Sequence, residues 1–296
     1  MGLLDGKVAA ITGAGRGVGR SEALALAREG AKVVINDLGG GVDGTGRETR
    51  VADDVVKEIQ ALGGSAAPNY SDISTPEGAQ ALIQSAVSKF GRIDILVNNA
   101  GILRDKTLLK MTDDDFDMVF RVHARGTFLC TRAAGQVMRP QASGVIINTT
   151  SMSGLIGNFG QANYGLAKAG IYGFTKIAAM ELGKYGIRVH AVSPNAYTRM
   201  TSDLPGIKDI GEAAMTPDSM GPLVVYLCSD LAKHLNGRVI GIHGGTQGSK
   251  VYEFKMSVAG GFKKAGGLPT AQEIAQNIDK VLIPQPDLEI MKVVLS

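Results

Sequence analysis

The chain contains few of the residues that build metal centres and disulfide frameworks. It has two cysteines, four histidines and no tryptophan in 296 residues. Cys130 and Cys228 lie far apart, at no spacing typical of a zinc site or a disulfide-rich domain. The histidines are dispersed, and no two of them stand at metal-ligand spacing. We therefore expect no metal, and a reducing cytoplasm as the setting.

Charge of one sign and long apolar runs are also missing. The formal net charge is +3, from 31 basic and 28 acidic residues, with no basic run. This balance argues against nucleic-acid and membrane partners. No apolar stretch approaches the roughly 20 residues that span a bilayer. Residues 1–6 lead straight into a core strand instead of a signal peptide, and the final Val-Leu-Ser is not a peroxisomal address. A small-molecule substrate and a cytoplasmic location are expected.

The residues that are abundant favour an α/β protein. Hydrophobic residues make up 44% of the chain, and there are 40 glycines. Helical patterns separate most of the apolar runs, which lie at 8–12, 33–35, 93–97, 145–147, 187–193 and 238–242. This alternation predicts a doubly wound parallel sheet of the Rossmann type. We expect a single domain over residues 1–248, with a C-terminal extension, 249–296, that packs on the core or on a partner subunit. Within the extension, Thr270–Val281 is predicted to be a helix with Thr270 as its N-cap and Glu273 completing a capping box.

A glycine cluster follows the first apolar run. Residues 7–13 predict a strand, and they continue through Gly13-Ala14-Gly15-Arg16-Gly17-Val18-Gly19 into a helical pattern. Glycines at positions 13, 17 and 19 permit a tight turn whose backbone N–H groups can approach a pyrophosphate at a helix N-terminus. The second apolar run ends in Asp37. A carboxylate there can accept hydrogen bonds from both hydroxyls of an adenosine ribose.

Asp37 also bears on the choice of cofactor. Its charge would repel the 2′-phosphate of NADP, and NAD is therefore the expected cofactor. Arg16, inside the glycine turn, could offset part of that repulsion. We give Asp37 more weight than Arg16 in this choice, because the carboxylate would face the 2′ position directly.

Three residues near the middle of the chain suggest proton-transfer chemistry. Tyr164 and Lys168 are four residues apart, so a helix would place them on one face, one turn from each other. Ser151 follows the apolar run that ends near Asn148. A phenol with a pKa of about 10 is a poor acid or base at neutral pH, but a nearby cation favours phenolate. The serine hydroxyl could then hold the oxygen that gains or loses the proton.

Together these motifs resemble the short-chain dehydrogenase/reductase family, over about residues 5–248. The motifs are the glycine pattern at Thr12–Gly19, the turn Asn98-Asn99-Ala100-Gly101, Ser151, and Tyr164-x-x-x-Lys168. The resemblance implies that the tyrosine is the catalytic acid/base, that the lysine lowers its pKa and binds the nicotinamide ribose, and that the serine orients the substrate carbonyl. It implies cofactor contacts from Gly13, Arg16, Gly17, Val18, Gly19, Asp37, Asp72, Ile73, Asn99, Ala100, Gly101, Tyr164, Lys168, Ala196 and Thr198.

A narrower resemblance is to the (3R)-hydroxyacyl-CoA dehydrogenase units of peroxisomal multifunctional enzymes. It rests on segments such as residues 36–40, 99–105, 121–126 and 157–164, and it weakens beyond Arg199. It implies NAD-dependent oxidation of a 3-hydroxyacyl-CoA to a 3-ketoacyl-CoA. A hydroxysteroid or another hydrophobic alcohol is the alternative substrate. A non-catalytic NAD-binding module is a remote alternative, against which the intact serine, tyrosine and lysine argue.

The chain departs from the family pattern at two places. His123 stands where the family has a fourth catalytic residue, usually asparagine. The imidazole could hold a proton-relay water, or the helix could need only a polar group at a kink. Pro194-Asn195 replaces the usual Pro-Gly, and the threonine that follows is either displaced to Thr198 or replaced by Arg199. Carboxamide contacts from this loop are therefore weaker expectations than those of Tyr164 and Lys168.

Several segments leave alternatives open. The glycine-rich stretch 39–50 is either a flexible connector or a loop over the adenosine end of the cofactor. Lysines at positions 250, 255, 263 and 264 are either solvated or able to meet CoA phosphates. The apolar-leaning loops 103–111 and 200–215 suggest an apolar substrate.

The helix that carries Tyr164 and Lys168 also predicts self-association. Its continuation, residues 169–180, is apolar over more of its circumference than one buried stripe requires. Small residues at positions 170, 173, 178 and 179 would let a second helix approach closely. The family resemblance implies pairing through this helix and the preceding one, about Asp113–Met138. We expect a homodimer or homotetramer.

Overall fold

The computed structural model of the protein describes residues 2–201, 213, 215–245, 248–254 and 269–277. The chain divides into two compact units, Met1–Glu253 and Phe254–Ser296. The predicted domain boundary at residue 248 remains a prediction.

A mixed sheet forms the centre of the first unit. Within the described residues its strands are β1 (Val8–Thr12), β2 (Lys32–Asn36), β3 (Ala66–Asn69), β4 (Ile95–Asn98), β5 (Gly144–Thr149), β6 (Ile187–Asn195), β7 (Val239–Gly245) and β8 (Gly248–Glu253). Their order is β3-β2-β1-β4-β5-β6-β7-β8. All neighbouring pairs are parallel except β7 and β8, which are antiparallel. The doubly wound parallel sheet predicted from the sequence is therefore confirmed, with an antiparallel edge strand added.

Helices connect the parallel strands. The described ones in this unit are α1 (Gly17–Arg28), α2 (Arg50–Ala61), α3 (Pro76–Phe90), α4 (Asp113–Phe120), α5 (Gly126–Gln141), α6 (Met152–Leu155), α7 (Ala162–Gly183) and α8 (Met220–Cys228). A wide π-helical turn, Arg121–Arg125, joins α4 to α5. The single helix expected from about Asp113 to Met138 is therefore interrupted near its middle.

The core lies on both faces of the sheet. Every residue of β1 is buried, and alternate residues face opposite sides. Ala9 and Ile11 pack with residues of α1, α2 and α8, whereas Val8 and Ala10 pack with residues of α3, α5 and α7. Two covered faces explain why the central strands read as continuous apolar runs instead of an alternating pattern.

The topology opens a crevice beside β1. This strand pairs with β2 on one side and with β4 on the other, so the connections that leave β1 and β4 diverge. Ligands of doubly wound sheets bind at such a switch point, at the carboxyl ends of the strands. The glycine turn after β1 and the asparagine turn after β4 both lie there.

The second unit contributes one described helix, α9 (Ala271–Asn277). The Thr270 backbone N–H donates to Glu273 Oε2 at 2.7 Å, and the Glu273 N–H donates to Thr270 Oγ1 at 3.2 Å. The predicted capping box is therefore confirmed. The rest of the predicted helix, to Val281, and Lys255, Lys263 and Lys264 lie outside the described residues. None of the helices in the described part of the chain is long and apolar enough to cross a bilayer.

Candidate active site

The turn after β1 is built around glycines that nothing larger can replace. Gly13 has a φ of +62°, and a Cβ placed there would lie 2.7 Å from the Ala100 Cα. A Cβ at Gly19 would lie 2.4 Å from the side-chain Nδ2 of Asn99 and 2.4 Å from the Gly13 carbonyl oxygen. Asn99 Nδ2 donates to the carbonyl oxygens of Thr12 and Gly13, each at 3.0 Å. The predicted residues of the two turns are thus packed directly against each other.

Helix α1 begins at this turn with no side-chain cap. Its N-cap is Arg16, in an extended conformation, and its first turn, which includes Gly17, Val18 and Gly19, carries no acidic side chain. Gly17 has a φ of +53°. First-turn N–H groups have no partner within a helix and favour an anion. The turn therefore fits the pyrophosphate of a dinucleotide, which would bind to backbone groups that a side chain would block.

Asp37 follows β2 and is fixed by two backbone donors. Its Oδ2 accepts from the Gly15 N–H at 2.8 Å, and its Oδ1 accepts from the Gly39 N–H at 2.7 Å. A Cβ at Gly15 would lie 2.8 Å from Asp37 Oδ2. Each carboxylate oxygen has a further lone pair, so the group can still accept from ribose hydroxyls. The Arg16 guanidinium bonds to Glu48, 3.1 Å from its Oε2.

The other predicted cofactor residues follow β3 and β6. Asp72 Oδ1 accepts from the Ser74 N–H at 3.0 Å, and the buried Ile73 side chain packs on Gly126. Ala196 is buried just beyond β6. Thr198 lies opposite the glycine turn, since a Cβ at Gly17 would be 3.7 Å from its methyl group. The structure thus brings all the predicted cofactor residues to the carboxyl edge of the sheet.

The glycine-rich segment between β2 and α2 packs against the chain that leaves β4. The Leu103 N–H donates to the Val42 carbonyl oxygen at 2.8 Å, and Arg104 Nε donates to the Asp43 carbonyl oxygen at 2.9 Å. A Cβ at Gly44 would lie 3.1 Å from the Ile102 side chain. The segment therefore borders the cleft instead of extending freely into solvent.

The structure also assembles the three predicted catalytic residues. Tyr164 and Lys168 lie one turn apart on α7, with Lys168 Nζ 5.5 Å from the centroid of the Tyr164 ring. Lys168 Nζ donates to the Thr149 carbonyl oxygen at 2.7 Å. Ser151 follows β5 as the N-cap of α6, and its hydroxyl lies close enough to the Tyr164 phenol to lower the pKa of that phenol. Phenol, ammonium and hydroxyl therefore meet at the carboxyl end of β5.

Burial sets the protonation of this group in the free protein. It raises the pKa of Tyr164 to about 12, although the nearby Ser151 hydroxyl opposes this, and the Asp105 carboxylate raises it further. Burial also lowers the pKa of Lys168 to about 7. The sequence led us to expect a phenol pKa lowered by the lysine. In the free protein desolvation outweighs that effect, because it disfavours the charged form of both groups.

His123 lies in the π-helical turn, beside Tyr164. The two rings meet edge to face, with centroids 5.2 Å apart. Its Nε2 lies 2.9 Å from the Ile102 backbone nitrogen and 2.8 Å from the Ile102 oxygen, and a Cβ at Gly101 would lie 2.3 Å from its Cε1. Burial, with the Lys168 charge, holds the pKa of His123 well below its usual value, so the ring is neutral. The irregular turn fits the kink interpretation, while the buried Nδ1, which has no hydrogen-bond partner, leaves an atom that could hold a water.

A second group of contacts, which the sequence did not reveal, fixes the start of α7. Gln161 Nε2 donates to Asp105 Oδ2 at 2.7 Å, and the Lys106 N–H donates to the Gly160 carbonyl oxygen at 2.9 Å. Asn163 Nδ2 donates to the Arg104 carbonyl oxygen at 3.0 Å. These bonds attach the segment before Tyr164 to the loop after β4. The only signal in the sequence is the polar Gln-Ala-Asn that precedes the tyrosine.

Another missed contact involves the edge strand. Asn195 Nδ2 donates to the Tyr252 hydroxyl on β8 and lies 3.4 Å from Met152 Sδ. Met152 follows Ser151 directly, and Asn195 precedes Ala196. Tyr252 therefore supports both the serine segment and the loop after β6. Asn195 stands where the family has glycine, and this departure was the one available signal.

Fold and site together define a class. A Rossmann-type sheet with a glycine cradle at its switch point and a serine, a tyrosine and a lysine at its carboxyl edge characterises oxidoreductases that use a nicotinamide dinucleotide. In the part of the chain that is described, no group of three histidine, cysteine, aspartate or glutamate side chains could hold a metal ion.

Comparison with known proteins places the chain within that class. The family model described as enoyl-(acyl carrier protein) reductase matches residues 13–247. The chain belongs to the short-chain dehydrogenase/reductase family. Members of this family bind nicotinamide cofactors, NAD or NADP, and act on small-molecule substrates.

Curated relatives include several with named activities. The chain is 42% identical over 278 residues to peroxisomal multifunctional enzyme type 2 of Mus musculus, a match that covers 94% of this chain and 37% of the mouse protein. It is 43% identical to hydroxyacyl-CoA dehydrogenase ChsB1 of Mycobacterium tuberculosis, covering 81% of this chain and 78% of the relative. The chain thus spans little more than a third of the mouse enzyme. A solved short chain dehydrogenase from Mycobacterium avium superposes with a TM-score of 0.83 at 41% identity, covering 96% of this chain and 99% of the other.

Proposed function

We propose that the protein is an NAD-dependent dehydrogenase that converts the secondary alcohol of a 3-hydroxyacyl-CoA to a ketone. The observation that carries the proposal is the meeting of Ser151, Tyr164 and Lys168 at the carboxyl end of β5, on the same edge of the sheet as the glycine turn. A protein that only bound a dinucleotide would have no use for a serine hydroxyl placed beside the Tyr164 phenol.

In the proposed mechanism, ionised Tyr164 takes the proton of the substrate hydroxyl, and Ser151 holds the same oxygen by a hydrogen bond. Bound NAD would accept the hydride from the carbinol carbon and would bring a positive charge beside the phenol. Lys168 supplies a second cation, and its bond to the Thr149 carbonyl fixes its position. These charges would have to overcome the burial that raises the pKa of Tyr164 to about 12. The phenol is therefore expected to be activated only in the complex.

NAD is proposed over NADP because of Asp37. The carboxylate is held by the Gly15 and Gly39 N–H groups, beside the turn that would hold the pyrophosphate. A 2′-phosphate placed there would meet a negative charge that cannot turn away without losing two backbone hydrogen bonds. The ribose hydroxyls of NAD can instead donate to it.

A thioester with an apolar chain is supported by two observations. First, the relatives in mouse and Mycobacterium tuberculosis carry names of multifunctional and hydroxyacyl-CoA dehydrogenase enzymes. Second, large apolar side chains are exposed on the two loops joined by the Lys106–Gly160 hydrogen bond: Leu108 is 72%, Leu109 98% and Phe159 88% exposed. Exposed apolar groups beside a catalytic cleft suit an apolar substrate.

We further propose a homodimer or homotetramer in which α7 pairs with α7 of another subunit. Leu166, Ile177 and Met180 of this helix are 51%, 55% and 80% exposed, and a Cβ at Gly170 or Gly173 would meet open space. A second helix could cover this surface and approach the small residues closely. A reducing, cytoplasmic setting is proposed because Cys130 and Cys228 are both free thiols buried in the core.

The experiment for the proposed function follows NADH formation with a matched panel of alcohols. The panel holds (3R)- and (3S)-hydroxyacyl-CoAs of several chain lengths and a set of hydroxysteroids. We expect turnover of a hydroxyacyl-CoA with NAD at a kcat/KM at least tenfold above that of any steroid. A higher kcat/KM with a steroid would contradict the proposed substrate but would still support an NAD-dependent alcohol dehydrogenase. Binding of NAD without turnover of any alcohol would contradict the proposal.

A further inference from the structure

Charged side chains converge at the end of the cleft where the adenosine ribose would lie. The Arg16 guanidinium stands 3.1 Å from Glu48 Oε2, and the Arg50 guanidinium stands 2.9 Å from Glu48 Oε1. Asp37 accepts from Gly15, the residue before Arg16. Two carboxylates and two guanidinium groups thus share this corner, and their charges balance.

Backbone contacts place Glu48 beside Asp37. The Glu48 N–H donates to the Leu38 carbonyl oxygen at 3.1 Å. Gly39 has a φ of +72°, and a Cβ there would lie 2.0 Å from the Glu48 carbonyl oxygen, so only glycine permits the contact. The chain returns from the glycine-rich loop onto the two residues that follow Asp37. The side chain of Glu48 therefore starts next to the ribose site, although the sequence separates it from Asp37 by a whole loop.

We propose that Glu48 is a specificity-determining residue that excludes NADP by keeping Arg16 occupied. The inference rests on the proposed dinucleotide function of the cleft. A guanidinium has the fork of donors that binds phosphate, and Arg16 is the cation of the glycine turn that could receive a 2′-phosphate. While Glu48 holds it, a 2′-phosphate would have to displace a carboxylate and would then lie near two negative charges, those of Glu48 and Asp37.

The size of the effect follows from the exposure of the pair. The side chains of Arg16 and Glu48 are 37% and 42% exposed, so solvent screens their attraction. Ion pairs of this kind change an equilibrium about two- to fivefold. Removing the Glu48 charge should therefore tighten NADP binding by about two- to fivefold relative to NAD, and about 0.5 M salt should remove most of the difference.

The test is calorimetric titration of the full-length protein with NAD and with NADP, which requires no substrate. Glu48→Gln should raise the NADP/NAD affinity ratio, and the double variant Arg16→Gln/Glu48→Gln should cancel the gain, because the gain requires a free guanidinium. The matched control is Glu58→Gln. Glu58 pairs with Arg20 between α1 and α2, and those side chains are 40% and 41% exposed, so an ion pair of equal exposure is removed elsewhere on α1. The control should leave the ratio unchanged.

Three results would overturn the inference: an unchanged ratio in Glu48→Gln, an equal change in Glu58→Gln, or a gain that persists when Arg16 is also replaced. Each of them is compatible with NAD binding, and the proposed function would stand. A wild-type protein that binds neither dinucleotide would overturn the proposed function, and this inference with it.

Discussion

Replacing Lys168 by Met should stabilise the folded protein at pH 7 and destabilise it at pH 10. The Lys168 side chain is 3% exposed, and burial lowers its pKa from 10.5 to about 7. The unfolded chain keeps the ordinary value. Because the folded pKa is the lower one, the amine is neutral and costs little above about pH 10.5. As the pH falls from about 10.5 towards 7, the unfolded chain binds a proton at this amine while the folded protein largely does not. The free energy of unfolding therefore decreases over this range.

The magnitude follows from the two pKa values. At about 1.4 kcal/mol for each pKa unit, the difference between 10.5 and about 7 corresponds to roughly 4 kcal/mol lost at pH 7 and less than about 1 kcal/mol lost at pH 10. Methionine escapes this cost, but it leaves the Thr149 carbonyl without its donor, which costs about 1–3 kcal/mol. Lys168→Met should therefore be more stable than wild type by about 1–3 kcal/mol at pH 7, and less stable at pH 10.

Urea unfolding of wild type and Lys168→Met at both pH values measures this difference. The control is Lys184→Met, an exposed lysine just beyond the C-terminal end of the same helix, whose replacement should shift stability little and equally at both pH values. Titrating groups that the Lys168 charge does not affect are common to the two chains and cancel, and His123, which it does affect, has a pKa well below 6.5 and is neutral at both pH values. A Lys168→Met protein that is less stable than wild type by the same amount at pH 7 and at pH 10 would refute the reasoning, since it would show that the buried amine carries no desolvation cost.

Three further predictions concern the cofactor, the edge strand and assembly. Asp37→Ala should weaken NAD binding by roughly 1–3 kcal/mol, because hydrogen bonds to a charged group are lost. It should also reduce the difference between the affinities for NAD and NADP. Calorimetry with both dinucleotides checks this, and an unchanged ratio would count against the assignment. Tyr252→Phe should lower kcat more than it raises KM, since it frees Asn195 and Met152 near the reacting atoms. Steady-state kinetics tests it, and wild-type values would show that the hydroxyl positions nothing. Light scattering at micromolar concentration should give a dimer or tetramer mass, and a mass near 30.9 kDa would contradict the proposed pairing of α7.

Short sequence patterns were enough to predict the fold and the dinucleotide-binding cleft. The strand, the glycine turn, the helix and Asp37 are close in sequence, so their order alone indicates the geometry in which a backbone turn receives a phosphate. The same holds for Tyr164 and Lys168, because four residues of helix bring them to one face whatever lies around them. Apolar runs located the buried parallel strands, since each is covered on both sides.

Contacts between loops that are far apart in the sequence could not be predicted from such short patterns. The bonds from Gln161 to Asp105 and from Asn195 to Tyr252 join segments more than fifty residues apart, and neither polar pair belongs to a periodic pattern. Glu48 is a similar case, because its position beside Asp37 depends on how the glycine-rich loop closes. Strand β8 was not expected as a strand, since its residues are largely exposed and lack the apolar run that marked the others.

Protonation was the other feature that the sequence could not supply. Spacing places a cation near the Tyr164 phenol and so suggests a lowered pKa. The pKa depends equally on how far water is excluded, and burial is a property of the whole fold. The π-helical turn at His123 is likewise a tertiary effect, since no proline or glycine inside the Arg121–Arg125 segment accounts for it. The ring is instead held there by the Ile102 backbone.

The most direct test of the central claim is single-turnover hydride transfer by Tyr164→Phe, measured together with the affinity of the same variant for NAD. Loss of a general acid/base reduces a rate by about 10²–10⁴-fold. The account predicts a loss of at least that size with an NAD Kd within a few-fold of wild type, because the phenol moves the proton and contributes at most one contact to the dinucleotide. A Tyr164→Phe enzyme that keeps half of the wild-type rate would contradict the claim.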